Sequence, residues 1–265
     1  MKISILGCGW LGFPLAQQLI KKGHSVKGAT TSPEKLKKLE AENIEPFLVR
    51  LTPQLENPEN VKPFWESEVL ILNIPPGRKR DNVVDFHTRQ IRSVENVVSH
   101  SSIKFVVFVS STSVYPKLPG AVNETDAVPG KAGRDSGNAL LKAERMLMEN
   151  NTFETTVVRF GGLTGKDRNP VKHFAGRKDL SRGNAPVNMI HQNDCIAIIA
   201  QIIEEKITNE IFNAVSDEHP TREKYYTQAS KNLGLEPPTF LEDNEKKHKL
   251  VNNEKLKSHL GYAFK

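Results

Sequence analysis

The chain has 265 residues, 37% of them hydrophobic, which suffices for a full hydrophobic core and is typical of a globular protein. The formal net charge is +6, but the basic residues are spread along the chain and interleaved with glutamates, so no nucleic-acid partner is expected. Cys8 and Cys195 form neither a metal-ligand cluster nor a disulfide framework, and no apolar run is long enough to span a bilayer. We therefore expect a cytoplasmic protein without a metal site or a membrane partner.

Short β-branched runs alternate with longer amphipathic stretches, which predicts an α/β fold: a Rossmann-type, doubly wound parallel sheet. The predicted strands are residues 2–6, 25–29, 45–49, 69–74, 104–110, 155–159 and 211–214. The predicted helices are residues 11–22, 33–42, 82–100, 138–150, 194–205 and 221–233. Ser32 before Pro33 predicts one helix cap, and Asp194 predicts another. Residues 163–188 are predicted to form a long surface excursion.

A glycine-rich loop joins the first strand to the first helix. Gly7, Gly9 and Gly12, with Trp10 and Leu11 between them, have the spacing that a dinucleotide pyrophosphate needs. The first glycine permits the tight turn, the second lets the backbone approach the phosphates, and the third lets the helix pack on the strand. The loop therefore predicts a nicotinamide dinucleotide site.

The end of the second strand separates the two nicotinamide cofactors. An acidic residue there would bond the ribose 2′-hydroxyl and repel a 2′-phosphate. This chain instead offers hydroxyls at Thr30, Thr31 and Ser32, a helix start, and Lys35. These groups predict a phosphate nest and hence NADP, with NAD open as the alternative.

Three further segments resemble the extended short-chain dehydrogenases/reductases, also called the NAD-dependent epimerase/dehydratase family. Residues 108–116 resemble the fifth strand and serine loop of that family, and residues 189–194 resemble a later strand-to-helix segment. Residues 249–264 resemble the C-terminal helix. Asn73 and Pro75 stand where the family has a different turn, beside the expected path of the cofactor, although a plain turn explains them equally well.

The resemblance implies one domain over residues 1–265. Residues 1–160 would form the dinucleotide-binding core, and residues 161–265 the last sheet strand, a small substrate-binding lobe and the C-terminal helix. Ser111 falls on the active-site serine, with Thr112 as its nearest alternative. Extended members are often dimers, so a homodimer is an expectation inherited from the family.

The chain departs from the family at the catalytic Tyr and Lys, which lie four residues apart on the helix after the serine loop. Counting back from Glu144 puts Ser136 at the Tyr position and Leu140 at the Lys position. A serine hydroxyl titrates too high to serve unaided as the acid or base, and leucine carries no charge. Ser136, His191 or a water would have to replace the tyrosine.

Two functions remain open at this stage. The first is an NADP(H)-dependent oxidoreductase or epimerase-like enzyme acting on a small polar substrate, such as a nucleotide sugar. The second is a non-catalytic NADP(H)-binding redox sensor or scaffold. Arg159, which precedes two glycines, would reach an anionic substrate or pair with a carboxylate inside the protein.

Overall fold

The computed structural model describes residues 1–77, 80–117, 119–242 and 248–264. Its strands are β1 (Lys2–Leu6), β2 (Ser25–Thr30), β3 (Glu45–Leu48), β4 (Val69–Leu72), β5 (Phe105–Ser111), β6 (Gly120–Val122), β7 (Glu154–Phe160), β8 (Gly162–Thr164), β9 (Met189–His191), β10 (Ile211–Ala214) and β11 (Lys249–Val251). Its α-helices are α1 (Gly12–Lys21), α2 (Leu36–Glu40), α3 (Val83–Ser99), α4 (Asp135–Met148), α5 (Gln192–Glu204), α6 (Arg222–Asn232) and α7 (Glu254–Leu260).

Seven strands form one parallel sheet in the order β10-β7-β5-β4-β1-β2-β3. All seven predicted strands are therefore confirmed, and the predicted fold class with them. The strand order reverses between β1 and β4, which opens a crevice at the carboxyl ends of these two strands. All four residues of β4 are buried, as expected for a strand that is covered on both faces.

Helices cover both faces of the sheet and create two separate cores. On one face, Leu15 and Leu19 of α1 pack with Ile198 of α5 and Leu256 of α7. On the other face, side chains of α3 and α4 pack with Phe64 and its neighbours. The crevice between β1 and β4 thus lies in a sheet that is fixed from both sides.

The predicted C-terminal helix over residues 249–264 is wrong in its first part. Lys249–Val251 is the strand β11, which pairs in parallel with β6, and the helix α7 begins only at Glu254. Pairing with β6 sets the conformation of this segment, where the resemblance had implied a helix. Gly261 ends α7 with a φ of 57°, a left-handed conformation that glycine adopts without strain.

Residues 163–188 carry little regular structure beyond the end of β8 and a single 3-10 turn at Pro170–His173. Val171 and Val187 bury themselves against Tyr226 of α6 and form a small third core. This core joins the excursion to the C-terminal part of the chain. No helix within the described residues has both the length and the apolar character needed to cross a membrane.

Candidate functional site

The glycine loop lies between the end of β1 and the start of α1, at the crevice. Gly7 has a φ of 105°, and a Cβ there would overlap the carbonyl group of Asn73. A Cβ at Gly12 would overlap the carbonyl oxygen of Gly7. Both glycines are therefore required by the packing of the loop itself. Gly9 is exposed, and a Cβ there would meet no described atom within 4 Å.

The protein's own packing does not require a glycine at position 9, because the space over Gly9 is open. We call this open space the cradle. The start of α1 carries no side-chain cap and no acidic residue in its first turn. Backbone N–H groups at such a start attract an anion through the helix dipole and their unused hydrogen-bonding capacity. The uncapped helix and the open space over Gly9 together fit the pyrophosphate of a dinucleotide.

Hydrogen bonds to β2 and to the residue after β4 hold the rest of the loop in place. The backbone N–H of Cys8 donates to the carbonyl oxygen of Ala29 at 2.8 Å, and burial raises the pKa of the Cys8 thiol to about 12. The side-chain amide of Asn73 donates to the carbonyl oxygen of Gly7 at 3.0 Å. Asn73 therefore positions the loop, while Pro75 is exposed beyond it. Leu11 is buried in the core.

Trp10 is the loop residue that meets the second half of the chain. Its carbonyl oxygen accepts a hydrogen bond of 2.6 Å from the side chain of Gln192, at the start of α5. The guanidinium of Arg168 lies 5.1 Å from the centre of the Trp10 ring, and Gly165 lies against the same ring. The Gln192 contact could not be predicted from the sequence, because the two residues are 182 positions apart.

The end of β2 carries the predicted phosphate nest. Thr30 is partly buried, and its hydroxyl accepts from the backbone N–H of Ser32 at 3.2 Å. Thr31 and Lys35 are exposed. The predicted side-chain cap by Ser32 is wrong: its side chain makes no cap hydrogen bond to the 3-10 turn Pro33–Lys35. This short turn precedes α2, so Ser32 does not stand at the start of an α-helix.

The serine loop begins with the last two residues of β5, two adjacent serines in different surroundings. Ser110 is buried and its hydroxyl donates to Glu144 at 2.5 Å. Ser111 is partly exposed, and its hydroxyl accepts from the backbone N–H of Ser113 at 3.2 Å. The hydroxyl proton of Ser111 is thus left to donate. Thr112 begins the 3-10 turn that follows.

The helix α4 packs directly on the serine loop. A Cβ at Gly137 would overlap the carbonyl oxygen of Ser113, so the two backbones are in close contact. Ser136 and Leu140 are only 6% and 4% exposed, while Lys142 is exposed to solvent. The helix α4 therefore packs against the serine loop with Ser136 and Leu140 buried, while the Lys142 side chain is turned towards solvent.

A buried ion pair lies beneath this contact. Arg159 and Glu144 are joined by a guanidinium–carboxylate contact of 2.6 Å, and each side chain is 2% exposed. Arg159 also donates to the Tyr115 hydroxyl at 2.9 Å, which in turn donates to the side chain of Asn213 at 2.5 Å. Burial raises the pKa of Tyr115 to about 12. Of the two alternatives for Arg159, the internal carboxylate partner is the correct one.

His191 is exposed at the end of β9 and caps α5, because its Nδ1 accepts from the backbone N–H of Asn193 at 3.2 Å. The predicted cap by Asp194 is wrong, since α5 begins two residues earlier, at Gln192. Asp194 is buried in the first turn, where its carboxylate accepts from the Tyr262 hydroxyl at 2.8 Å. The capping bond gives His191 a structural task.

Lys249 is a residue near the site that the sequence did not reveal. Its Nζ donates to the carbonyl oxygen of Thr112 at 3.2 Å, and Thr112 follows Ser111 in the chain. The helical prediction for residues 249–264 concealed this placement, because only the pairing of β11 with β6 brings Lys249 to the serine loop.

A scan against family models matches residues 7–206 of this chain to a family described as NAD(P)H-binding. Protein YeeZ of Escherichia coli K12 is 30% identical over 266 residues, which cover 99% of this chain and 95% of that protein.

Solved structures with the same fold include UDP-glucose 4-epimerase with UDP-glucose from Thermotoga maritima. It has a TM-score of 0.80 at 16% identity and covers 100% of this chain and 94% of that one. A short-chain dehydrogenase/reductase superfamily protein from Agrobacterium tumefaciens with bound NAD has a TM-score of 0.79 at 16% identity, with 100% and 93% coverage. A putative NAD-dependent epimerase/dehydratase from Methylobacillus flagellatus has a TM-score of 0.74 at 22% identity, with 99% and 92% coverage. The chain therefore belongs to the NAD(P)H-binding family and has the fold of the short-chain dehydrogenases/reductases.

Proposed function

We propose that the protein is an NADP(H)-dependent oxidoreductase or epimerase-like enzyme that acts on a small polar substrate. The observation that carries the proposal is the pairing of two features at one crevice. The space over Gly9, which follows β1, is open to a pyrophosphate. The Ser111 hydroxyl stands partly exposed at the end of β5, which is separated from β1 in the sheet by β4 alone. The first feature serves binding and the second serves chemistry.

NADP is preferred over NAD in this proposal. The chain that leaves β2 presents the hydroxyls of Thr30, Thr31 and Ser32, and none of these residues is acidic. Lys35 adds a positive charge at the next turn, and Lys38 lies 4.6 Å from the Phe13 ring in the first turn of α1. Cations and hydroxyls suit a 2′-phosphate, whereas a carboxylate at this position would repel it.

The residues of the crevice have separate roles in the proposed reaction. The nicotinamide cofactor, when bound, supplies or accepts a hydride at a substrate carbon. Ser111 holds the oxygen on that carbon by donating its hydroxyl proton, because its lone pair already accepts from Ser113. The Trp10 contact with Gln192 ties the glycine loop to α5 and so fixes the mouth of the crevice.

The proposal is tested with NADPH and a panel of small aldehydes, small ketones and UDP-glucose. NADPH consumption reports reduction, and chromatographic separation of the sugar products reports epimerisation. We expect Ser111→Ala to remove most of the turnover without changing the NADPH dissociation constant. Ser113→Ala is the matched control, because it removes a neighbouring hydroxyl but keeps the backbone N–H of residue 113, which donates to Ser111.

A second function has an observation of its own. Ser136 and Leu140 are buried, and the resemblance puts them at the two positions of the family's acid–base pair. Their lack of acid–base chemistry favours a redox sensor or scaffold that binds NADP(H) without turnover. Tight NADPH binding by the wild type with no conversion of any panel substrate would support this second function and contradict the first.

A further inference from the structure

The backbone of Lys249 is held in place from two sides. In β11 it lies opposite Gly120 of β6, and the backbone N–H of Gly120 donates to the His248 carbonyl oxygen at 3.0 Å. On the other side, the side chain of Asn188 donates to the Lys249 carbonyl oxygen at 3.3 Å and accepts from the Val251 N–H at 2.8 Å. Hydrogen bonds on both edges make β11 a rigid support for its side chains.

Side chains alternate along β11 and serve opposite sides of this small sheet. His248 and Leu250 line an open cavity of about 600 Å³ on one side. Lys249 points the other way, where its Nζ donates to the Thr112 carbonyl oxygen and lies 5.7 Å from the centre of the Tyr115 ring. The pairing of β11 with β6 therefore delivers one amine to the serine loop.

The surroundings of this amine are unusual for a lysine. It is half-buried, and no carboxylate of the described ranges lies within 4.0 Å of its Nζ. Burial lowers the pKa of Lys249, and the positive charge of Arg182 lowers it further. An ammonium has three N–H donors, and the Thr112 carbonyl oxygen takes one of them. No hydrogen bond among the described residues uses the other two, so they can donate to a ligand.

Resting on the proposed function, we propose that Lys249 is a catalytic residue that gives a proton to the substrate oxygen held by Ser111. It thereby takes over the task that Ser136 and Leu140 of α4 cannot perform. In the reducing direction, the substrate carbonyl carbon would receive the hydride that bound NADPH supplies, so that a C–H bond forms and the carbonyl π electrons move to the oxygen. An N–H bond of the Lys249 ammonium then breaks and an O–H bond forms on that oxygen. The substrate becomes an alcohol, and the neutral amine takes its next proton from water.

The charge state of Lys249 is measured first, on the full chain without any substrate. Lysines are dimethylated with ¹³C-formaldehyde, and the resonance of Lys249 is identified by its absence from Lys249→Met. Lys142→Met identifies the exposed control lysine on α4 in the same way. We expect Lys249 to titrate at a lower pH than Lys142 and to move up in Arg182→Gln. Equal titration of the two lysines would overturn the assignment.

The second measurement is turnover of the substrate panel at several pH values. Lys249→Met should lower kcat by about 10²–10⁴-fold, the usual contribution of a positioned acid or base, with an unchanged dissociation constant for NADPH. Lys249→Arg should not restore kcat, because a guanidinium holds its proton at every accessible pH. The alkaline limb of the wild-type pH profile should coincide with the Lys249 titration, and Lys142→Met should behave as wild type.

The two proposals fail in different ways. If the wild type turns over and Lys249→Met or Lys249→Arg keeps the wild-type kcat and pH profile, Lys249 only ties β11 to the serine loop, and the catalytic assignment is overturned. If the wild type binds NADPH but converts nothing, the proposed enzyme function fails, and the catalytic assignment fails with it. Loss of NADPH binding in Lys249→Met would also contradict the assignment, since it places Lys249 at the substrate oxygen.

Discussion

The glycine loop and the contact between the serine loop and α4 differ in what they contribute: the first acts through its backbone, whereas the second depends on its side chains. The glycine loop works through its backbone: Gly7 and Gly12 leave room for neighbouring carbonyl groups, and Gly9 leaves room for a ligand. At α4, the backbone contact with the serine loop is equally close, at Gly137, yet the side chains at the two decisive positions are a hydroxyl and an alkyl group. The close packing of α4 on the serine loop is present, while the tyrosine and lysine that the resemblance implies are not.

This difference shows which parts of a site can be supplied by residues from elsewhere in the chain. A backbone cradle cannot be supplied by another part of the chain, because it is the path of the chain itself. A proton donor needs only one side chain near the substrate oxygen, and any element that reaches the oxygen can carry it. Here β11 brings Lys249 to the serine loop from a segment more than 100 residues after α4 begins.

The largest effect is expected from substitutions in the glycine loop. Gly9→Ala should abolish detectable NADPH binding and leave stability unchanged, because its Cβ points into open space that a pyrophosphate would fill. Gly12→Val should lose NADPH binding. It should also lower the free energy of unfolding by about 2 kcal/mol or more, because its side chain overlaps the Gly7 carbonyl oxygen. Calorimetric titration and thermal unfolding separate the two effects.

Gly23→Ala serves as the control for conformational strain, since Gly23 has a positive φ of 84° but lies at the far end of α1. It should lose stability and keep NADPH binding. Wild-type affinity in Gly9→Ala would mean that the pyrophosphate does not pass over Gly9. It would contradict the description of the glycine loop as a backbone site for the cofactor.

The next effect tests the buried ion pair under the serine loop. Glu144→Gln leaves the Arg159 guanidinium buried without its counter-charge, which typically costs about 3–5 kcal/mol of unfolding free energy. The double variant Glu144→Gln with Arg159→Met should recover part of that loss, because no unpaired charge remains. Denaturant-induced unfolding measures all three proteins, and NADPH affinity should stay unchanged where the variants are folded.

Arg145→Met is the matched control on the same helix, because the pair between Arg145 and Glu149 is exposed. Exposed pairs contribute little, so its stability should stay close to that of the wild type. A Glu144→Gln variant as stable as Arg145→Met would show that the buried pair does not hold α4 against the sheet.

Sequence patterns gave the sheet almost completely. The continuous apolar run of β4 and the glycine spacing after β1 are local features, and local features are readable without a structure. Departures appeared where a tertiary partner decides the outcome. Lys249–Val251 becomes a strand because β6 lies beside it. The start of α5 at Gln192 is a local difference, because His191 rather than Asp194 supplies the cap.

The candidate site divides in the same way. The tight packing at Gly7 and Gly12 could be predicted from their spacing, and the structure gives each of them a steric reason, while Gly9 faces open space. The contacts of Trp10 with Gln192 and of Lys249 with Thr112 could not, because they join residues 182 and 137 positions apart. No periodicity or spacing rule reaches that far along a chain.

The smallest expected effect concerns the choice between the two cofactors. Thr31 is exposed just beyond the end of β2, where an aspartate would face the ribose of a bound dinucleotide. Charge-assisted hydrogen bonds to a 2′-phosphate contribute about 1.5–3 kcal/mol, which corresponds to about a ten- to hundredfold preference for NADP. Thr31→Asp should erase or invert this preference, as measured by calorimetric titration with NADPH and NADH.

Two control variants separate charge from shape at the same position. Thr31→Ala removes the hydroxyl without adding a charge, so it should weaken NADPH binding only slightly and leave NADH binding unchanged. Lys35→Met removes the nearby cation and should lower the affinity for NADPH alone, with a loss that shrinks as salt is added because the lysine is exposed. A wild type that binds NADH more tightly than NADPH, or a Lys35→Met variant that weakens both cofactors equally, would contradict the phosphate nest. The cradle at Gly9 would then serve NAD, because the pyrophosphate that it accommodates is common to both cofactors.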